Sequence, residues 1–285
     1  MHQLSKYVWG EHQEERNFRL SFCCLFLLAL IHFAIDLRLG KQSHFMMSAV
    51  VWTAVGLLLW DKLRACLHRP DNISSFVGYG MIAALLTTSM VHPSSKLMGF
   101  FPLLGCLGWF LIFEGAASYR LFWRELAALV AFGIPKLLPD SIFGLQVATA
   151  KLSAYLLWRL DYPIALQATT LHVPNGSVEV VPTCSGLTLM AHMFSVAVIF
   201  LCVFPVGRVQ AILLPLIAIA LGFLTNGVRI ALLAVLSPPA SAAAFQYWHS
   251  SSGASMFVLA SLILYMLVYG CLSRTTPQRR SKNPV

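Results

Sequence analysis

The stretch GLTLMAHMFSVAVIFLCVF, residues 186–204, decides the fold, because its 19 residues include no formally charged side chain. A helix needs about 20 apolar residues to cross the hydrocarbon core of a bilayer, so this stretch predicts a transmembrane helix. Hydrophobic residues make up 58% of the 285-residue chain and charged residues 11%, whereas soluble domains average roughly 25% charged residues. The sequence therefore predicts an all-α polytopic membrane protein with about eight transmembrane helices. These predicted helices cover residues 20–38, 44–60, 73–91, 97–113, 121–138, 186–204, 209–226 and 254–272.

The distribution of basic residues predicts the orientation of the helices. Cytoplasmic loops of membrane proteins carry an excess of Lys and Arg. With the N-terminus inside, 13 of the 20 basic residues lie in predicted cytoplasmic segments, so we expect both termini inside. The net charge of +9 is scattered over these segments. We therefore expect the basic residues to contact the lipid bilayer and not a nucleic acid.

Residues 141–160 have a helical pattern but carry Gln146, Lys151 and Arg159. If this helix crossed the membrane, the basic tail would lie outside, against the charge distribution. We therefore predict an amphipathic helix in the outer interface, with a ninth transmembrane helix as the alternative. An Asn-Gly pair at 175–176, between two short β-prone runs, predicts a β-hairpin. Unpaired edge groups cannot lie in lipid, so the short hairpin is expected on the extracytoplasmic side.

Cys184, in Pro182-Thr-Cys-Ser-Gly186, comes directly before the apolar stretch. The N–H groups and the dipole at a helix N-terminus favour a thiolate, and the same N–H groups could receive an oxyanion. Cys184 is therefore a candidate nucleophile, with Ser185 and Gly186 as supporting residues; an inert interfacial cysteine is the alternative. The other six cysteines show no metal-ligand or CxxC spacing, and we expect them to be small packing residues.

Between residues 180 and 273 the chain has only two formally charged side chains, Arg208 and Arg229. A guanidinium at the edge of an apolar stretch is costly unless it is paired or hydrated, so such residues tend to be functional. Arg229 could hold a carbonyl group or stabilise developing negative charge, or it could anchor the helix among headgroups. Asn226 lies three residues earlier, where it could orient Arg229 or cap the helix. Glu179 could pair with Arg229, but we favour a role in keeping the hairpin soluble.

His249 follows an aromatic segment at 245–248. Histidine titrates near neutral pH, so it can take a proton from a thiol and give one to a leaving amine. A simple interfacial position beside the aromatic residues is the alternative. His172, on the hairpin, is a rival that could reach the site. His192 is eight residues past Cys184, about two helical turns into the span, and is the weaker candidate.

Several motifs are missing from the chain. It has no GxSxG, no HExxH and no paired intramembrane aspartates, which argues against serine, zinc and aspartyl intramembrane proteases. It has neither a Walker loop nor a dinucleotide fingerprint. We therefore expect no metal and no cofactor.

A series of short motifs runs through the second half of the chain in the order Leu145-Gln146, the region of Pro163, Val173-Pro-Asn-Gly176, Val178-Glu-Val180, Cys184-Ser-Gly186, Asn226-Gly-Val-Arg229-Ile and His249. This order resembles the exosortase/archaeosortase family over roughly residues 140–272. The first 120 residues match that family only as apolar spans. The context of Trp248-His249-Ser250 and Gly253 looks closest to the cyanobacterial branch, the cyanoexosortases.

The resemblance implies a catalytic triad carried here by Cys184, Arg229 and His249, with Asn226 beside it. It implies a membrane cysteine protease/transpeptidase in the cytoplasmic (inner) membrane of a prokaryote, with its active site on the extracytoplasmic side. Its partners would be membrane-tethered proteins with a PEP-CTERM-type sorting signal, that is, a Pro-Glu-Pro-type motif, one transmembrane helix and a basic cluster. No appended soluble domain is apparent, so an extracytoplasmic accessory protein would be a separate chain.

Two alternatives stay open. One is a membrane cysteine acyltransferase that uses a lipid donor, and the other is a non-enzymatic membrane scaffold or transporter. Transporters usually place polar groups near the midplane and contain inverted repeats, and neither pattern is seen in this sequence. On the preferred interpretation, residues 1–285 form a single integral membrane domain, with N-terminal spans at 1–140, a catalytic core at 141–272 and a basic cytoplasmic tail at 273–285.

Overall fold

The computed structural model describes residues 2–39, 42–65, 71–92, 95–115, 122–134, 137, 144–204 and 206–275. The chain forms two compact units, Met1–Leu138 and Pro139–Val285. Both units are built mainly from long apolar helices. The helices of the first unit are α1 (His2–Arg38), α2 (Gln42–Ala65), α3 (Asn72–Val91), α4 (Ser95–Phe113) and α5 (Trp123–Gly133).

Close packing of α3 against α4 depends on two glycines. A Cβ added at Gly78 would lie 2.6 Å from the carbonyl oxygen of Gly108, too close for any real side chain. Lipid tails are as apolar as side chains, so transmembrane helices associate largely through such close packing of small residues. A larger residue at either glycine would therefore force the two helices apart.

A buried polar network joins α1, α2 and α4. Trp52 Nε1 donates to His32 Nδ1 at 3.1 Å, and His32 Nε2 lies 3.1 Å from the carbonyl oxygen of Met98. This pattern places the proton on Nε2 of a neutral imidazole. The nearby Asp36 carboxyl accepts a hydrogen bond from Ser48 at 2.8 Å. Ionisable groups in membrane helices are expected to be paired in this way.

Helix α5 is shorter than the transmembrane helix predicted at 121–138. Its 11 residues extend about 17 Å, whereas the hydrocarbon core is roughly 30 Å thick. The helix begins at Trp123 and ends at Gly133. Lys62 lies two residues beyond the predicted helix at 44–60, but it belongs to α2 and forms an ion pair with the buried Glu125 of α5 at 2.9 Å.

The second unit starts with a helix and a small sheet and continues with long helices. Among its described residues, α6 lies first, followed by three strands, a short 3₁₀ helix and four further helices. The elements are α6 (Leu145–Arg159), β1 (Ala165–Gln167), β2 (Thr170–Val173), β3 (Gly176–Glu179), the 3₁₀ helix Pro182–Cys184, α7 (Leu187–Val203), α8 (Arg208–Val235), α9 (Ala242–His249) and α10 (Ser251–Thr275).

Five helical segments among the described residues are long and apolar enough to cross a membrane. This confirms the prediction of an all-α polytopic membrane protein. Two more of the predicted spans form shorter apolar helices, Phe45–Trp60 and Leu97–Phe113, and α5 is the remaining one. The five candidate spans are Arg19–Arg38, Asn72–Val91, Pro182–Val203, Arg208–Val235 and Ser251–Leu272.

Helix α8 ends later than predicted. The sequence suggested an end at residue 226, but the helix continues to Val235, because the following Ala and Leu residues favour helix and the next proline is Pro238. Its 28 residues extend about 42 Å, more than the roughly 30 Å of the hydrocarbon core. Asn226 and Arg229 therefore lie within the helix and not at its end.

The predicted hairpin is present, and it belongs to a slightly larger sheet. Strand β2 pairs antiparallel with β3 across a turn in which Asn175 has a φ of 62°. A third strand, β1, pairs antiparallel with the other side of β2 and gives the order β1-β2-β3. One face of the sheet buries Leu171 and Val180 in a core shared with Ile230 of α8. The sheet is thereby fixed beside the segment that leads to Cys184.

Helix α6 turns its small polar residues toward the protein. Thr149 and Ser153 are fully buried, whereas Lys151 and Tyr155 are exposed. Its 15 residues extend about 22 Å, and α6 is not among the candidate spans of the described residues. This length favours the predicted interfacial helix over a ninth transmembrane helix.

Candidate active site

Cys184 lies in a tight turn at the start of α7. The 3₁₀ helix that ends at Cys184 leads into Gly186, which has a φ of 90° and caps α7. A Cβ added at Gly186 would lie 2.6 Å from Nδ2 of Asn226. Glycine therefore suits both the left-handed backbone and the close approach of α8. The Cys184 side chain is half-buried and packs against the core shared by the sheet, α6 and α8.

Two side chains from neighbouring helices hold the carbonyl groups of this turn. Asn226 Nδ2 of α8 donates to the carbonyl oxygen of Cys184 at 3.0 Å. Thr149 Oγ1 of α6 donates to the carbonyl oxygen of Ser185 at 2.7 Å. Both carbonyls precede the hydrogen-bond ladder of α7, whose first acceptor is Gly186, so they need partners from elsewhere. Asn226 thus orients the turn of the cysteine, whereas the sequence suggested that it orients the arginine or caps its helix.

The backbone N–H groups of the cysteine turn already have acceptors. Those of Cys184 and Ser185 donate to the carbonyl oxygens of Val181 and Pro182 at 2.9 and 3.1 Å. The first N–H groups of an α-helix have no intrahelical acceptor. The N–H groups that could receive an oxyanion are therefore those of the first turn of α7, from Leu187 onward, and not those of the cysteine itself.

Arg229 lies one helical turn after Asn226 on α8 and is half-buried. Asn226, one turn earlier, bonds to the carbonyl oxygen of Cys184, so Arg229 lies near the part of α8 that contacts the cysteine turn. Nη2 of Arg229 donates a long hydrogen bond, 3.4 Å, to the backbone carbonyl oxygen of His249. Among the described residues, no carboxylate forms an ion pair with Arg229. The positive charge therefore stays available to a group that reaches the site.

His249 is the last residue of α9 and is exposed. Its imidazole stacks on Phe245, with ring centroids 5.5 Å apart, and its backbone carbonyl contacts Arg229. The turn into α10 is tight, because a Cβ added at Gly253 would lie 2.5 Å from the Cα of Trp248. Within the described part of the chain, no hydrogen bond joins the imidazole to the Cys184 thiol. The structure thus brings His249 to the site through its backbone.

The rival residues are placed less favourably. His172 is exposed on β2, where the side chains of its neighbours Leu171 and Val173 point to the opposite, buried face of the sheet. His192 is buried within α7, eight residues from Cys184 and so about 12 Å away along the helix. Glu179 is exposed on β3. Among the described residues, no hydrogen bond or ion pair joins His172 or Glu179 to Cys184 or Arg229.

Three buried polar atoms around the site have no hydrogen-bond partner among the described residues: Ser185 Oγ, Gln146 Oε1 and Arg229 Nε. Ser185 follows Cys184, and Gln146 lies one turn before Thr149 on α6. Buried polar groups are nearly always paired, so unpaired ones need an explanation. A polar substrate bound at the site would supply the missing hydrogen-bond partners.

The sequence reasoning missed Thr149. The available signal was the spacing of Gln146, Thr149 and Ser153, which places three uncharged polar side chains on one face of α6. The predicted interfacial helix rests instead on the polar and charged residues Gln146, Lys151 and Arg159. A polar face made of small side chains indicates contact with other protein segments as readily as contact with water.

The position of Arg229 along α8 indicates where the site lies in the membrane. It is 21 residues after Arg208, the first residue of the helix, and this separation corresponds to about 32 Å. A helix that enters the hydrocarbon core at Arg208 therefore brings Arg229 to the opposite edge. Helix α7 begins and α9 ends beside this part of α8. Among the described residues, no group of three or more His, Cys, Asp or Glu side chains is arranged to hold a metal ion.

The chain matches the model of a known protein family. Residues 39–266 match the family described as transmembrane exosortase (Exosortase_EpsH). The match covers more than half of the chain and includes Cys184, Arg229 and His249. Searches among curated proteins and among solved structures gave no match.

Proposed function

Because the chain belongs to the transmembrane exosortase family, a family of membrane sorting transpeptidases, we propose that Cys184 is the nucleophile of a cysteine protease/transpeptidase. The proposed substrate is a membrane-tethered protein with a PEP-CTERM-type C-terminal sorting signal. It is cleaved at the extracytoplasmic side of the inner membrane. The observation that carries this proposal is that one segment of α8 contacts both other elements of the site: Asn226 bonds to the carbonyl oxygen of Cys184, and Arg229, one turn later, reaches that of His249 and has no carboxylate partner among the described residues.

The first half of the reaction forms a thioester. His249 accepts the proton of the Cys184 thiol. Cys184 Sγ attacks the carbonyl carbon of the scissile peptide bond, so an S–C bond forms and the carbonyl electron pair moves to oxygen. Arg229 stabilises this oxyanion. When the tetrahedral centre collapses, the C–N bond breaks and His249 returns the proton to the leaving amine.

The second half releases the acyl group. An acceptor amine, or water, attacks the thioester carbon while His249 takes its proton. The C–S bond breaks and the thiol of Cys184 is restored. The role of His249 requires its ring to turn from Phe245 toward the cysteine, and its exposed position at the end of α9 leaves room for this rotation.

Substitution of the nucleophile tests the proposal. A reporter protein that ends in a PEP-CTERM-type signal is co-expressed with the wild type, with Cys184→Ala, or with Cys271→Ala as the matched control, since Cys271 is an exposed cysteine of α10. We expect Cys184→Ala to insert normally in the membrane and to leave the reporter uncleaved. Cys271→Ala should process it at the wild-type rate. Normal processing by Cys184→Ala would overturn the assignment of the nucleophile.

The chemical nature of the acyl group separates this proposal from its enzymatic alternative. Mass spectrometry of the peptide that contains Cys184, after trapping of the intermediate, should show an adduct with the mass of a reporter-derived polypeptide. A lipid acyl chain at the same sulfur would instead indicate an acyltransferase. The adduct should be released by hydroxylamine, because a thioester is the expected linkage.

A further inference from the structure

Helix α6 contacts the site through two buried hydroxyl groups. Thr149 and Ser153 are both fully buried, and they lie one turn apart on the same face of the helix. Ser153 Oγ lies 2.9 Å from the carbonyl oxygen of Thr149 in its own helix and 2.9 Å from that of Gly227 in α8. Thr149 Oγ1 in turn donates to the carbonyl oxygen of Ser185 at 2.7 Å. A short path of polar contacts thus runs from α8 through α6 to the cysteine turn.

The contact between α6 and α8 is close at the level of Gly227. A Cβ added there would collide with the side chain of Leu152, so this glycine lets the two helices approach each other. Gly227 directly follows Asn226, which holds the carbonyl group of Cys184. The same short segment of α8 therefore fixes α6 through Ser153 and fixes the cysteine turn through Asn226.

The carbonyl group of Ser185 depends on Thr149. Ser185 is 1% exposed, and its carbonyl lies before the first acceptor of the α7 ladder, Gly186. A buried carbonyl without a partner is unfavourable. If the hydroxyl of Thr149 were removed, the turn would have to rotate to find another donor or water, and the neighbouring thiol would move with it.

We propose that Thr149 is a positioning residue for Cys184: its hydroxyl holds the carbonyl group of Ser185 and thereby the turn that carries the thiol, while Ser153 lies between its backbone carbonyl and that of Gly227 in α8. This inference rests on the proposed function only in taking Cys184 as the reacting group. Its direct consequence is a change in thiol reactivity, which can be measured without any peptide substrate.

The test measures alkylation of Cys184 by iodoacetamide in the purified full-length protein across a range of pH, with quantification by mass spectrometry. Thr149→Val keeps the shape of the side chain and removes the hydroxyl. We expect the alkylation rate near neutral pH to fall about tenfold, because the thiol is no longer held in its position by the turn. Thr149→Ser restores the hydroxyl and should restore the wild-type profile.

A matched control separates positioning from general stability. Thr225→Val removes a buried hydroxyl of α8 that bonds to the carbonyl of Leu221 in its own helix, and it should leave the profile unchanged. The exposed Cys271 serves as an internal standard, since its alkylation should be equal in all variants. A wild-type profile in folded Thr149→Val would overturn the proposal.

A second variant decides the question if Thr149→Val does not fold. Ser153→Ala leaves Thr149 in place and removes only the hydroxyl between its backbone carbonyl and α8, so a smaller loss in the same direction is expected. A wild-type profile for Ser153→Ala, in that case, would overturn the proposal. Failure of the proposed function has a different signature: the reporter is then still cleaved by Cys184→Ala, and this outcome does not depend on the alkylation rates.

Discussion

At the scale of single residues, the charge and the shape of Arg229 have different uses. Its charge has no carboxylate partner among the described residues, and its planar fork reaches the backbone carbonyl of His249 at 3.4 Å. A lysine would supply the charge but could not present several N–H groups in a fixed plane. The arginine therefore links the helix that carries it to the end of α9 while keeping its charge at the site.

The substitution Arg229→Lys tests whether the shape of the arginine matters in addition to its charge. We expect the rate of reporter cleavage to fall by about 10² to 10³, the loss typical of a removed oxyanion donor, although the positive charge is retained. Arg208→Lys, at the opposite and exposed end of α8, is the control and should cleave at the wild-type rate. Full activity of Arg229→Lys would indicate that Arg229 serves only as an interfacial anchor.

At the scale of elements, the small sheet matters because it leads directly to the cysteine. Gly176, at the start of β3, packs against the end of α8: a Cβ there would collide with Ser237 and would lie 2.8 Å from the backbone nitrogen of Pro238. The chain from β3 reaches Cys184 after four intervening residues, 180–183. A displacement of the sheet would therefore be passed on to the cysteine turn.

A substitution at the sheet tests this coupling. Gly176→Val should lower the free energy of unfolding by about 1–3 kcal/mol through overpacking and should also slow reporter cleavage. Gly270→Val, on α10, is the control, since a Cβ added at Gly270 meets no atom of the described residues within 4 Å. Thermal unfolding of the purified proteins and cleavage assays provide the two measurements. A stable Gly176→Val with unchanged cleavage would show that the sheet does not position the site.

Much of this arrangement could be predicted at the level of elements. The apolar helices follow from runs such as 186–204, and the hairpin follows from the Asn-Gly pair at 175–176. Strand β1 was missed because three residues are too few for an alternating pattern. The end of α8 was placed too early, because a polar Asn226 suggested a helix terminus, whereas it contacts another protein segment. The role of Thr149 depends on a contact 36 residues away, which local sequence patterns do not contain.

At the scale of the whole molecule, the orientation in the membrane remains a prediction that labelling can test. The basic residues favour an N-terminus inside, and this places Cys184 outside. A membrane-impermeant maleimide added to spheroplasts should label Cys184 in a variant whose other cysteines are replaced by alanine. In a matched variant that keeps only Cys271, 20 residues into α10, labelling should require permeabilised membranes. The reverse pattern would contradict the predicted orientation.

The length of α8 has a consequence for the lipids around it. The helix is about 12 Å longer than a hydrocarbon core of roughly 30 Å, so the bilayer thickness determines whether Arg229 meets water or acyl chains. Mismatch of this kind is accommodated by tilting or by local changes in membrane thickness. A thin membrane leaves the guanidinium hydrated, and a thick one draws the boundary of the acyl chains toward it. Acyl-chain length thereby becomes a means of regulating the site from the membrane itself.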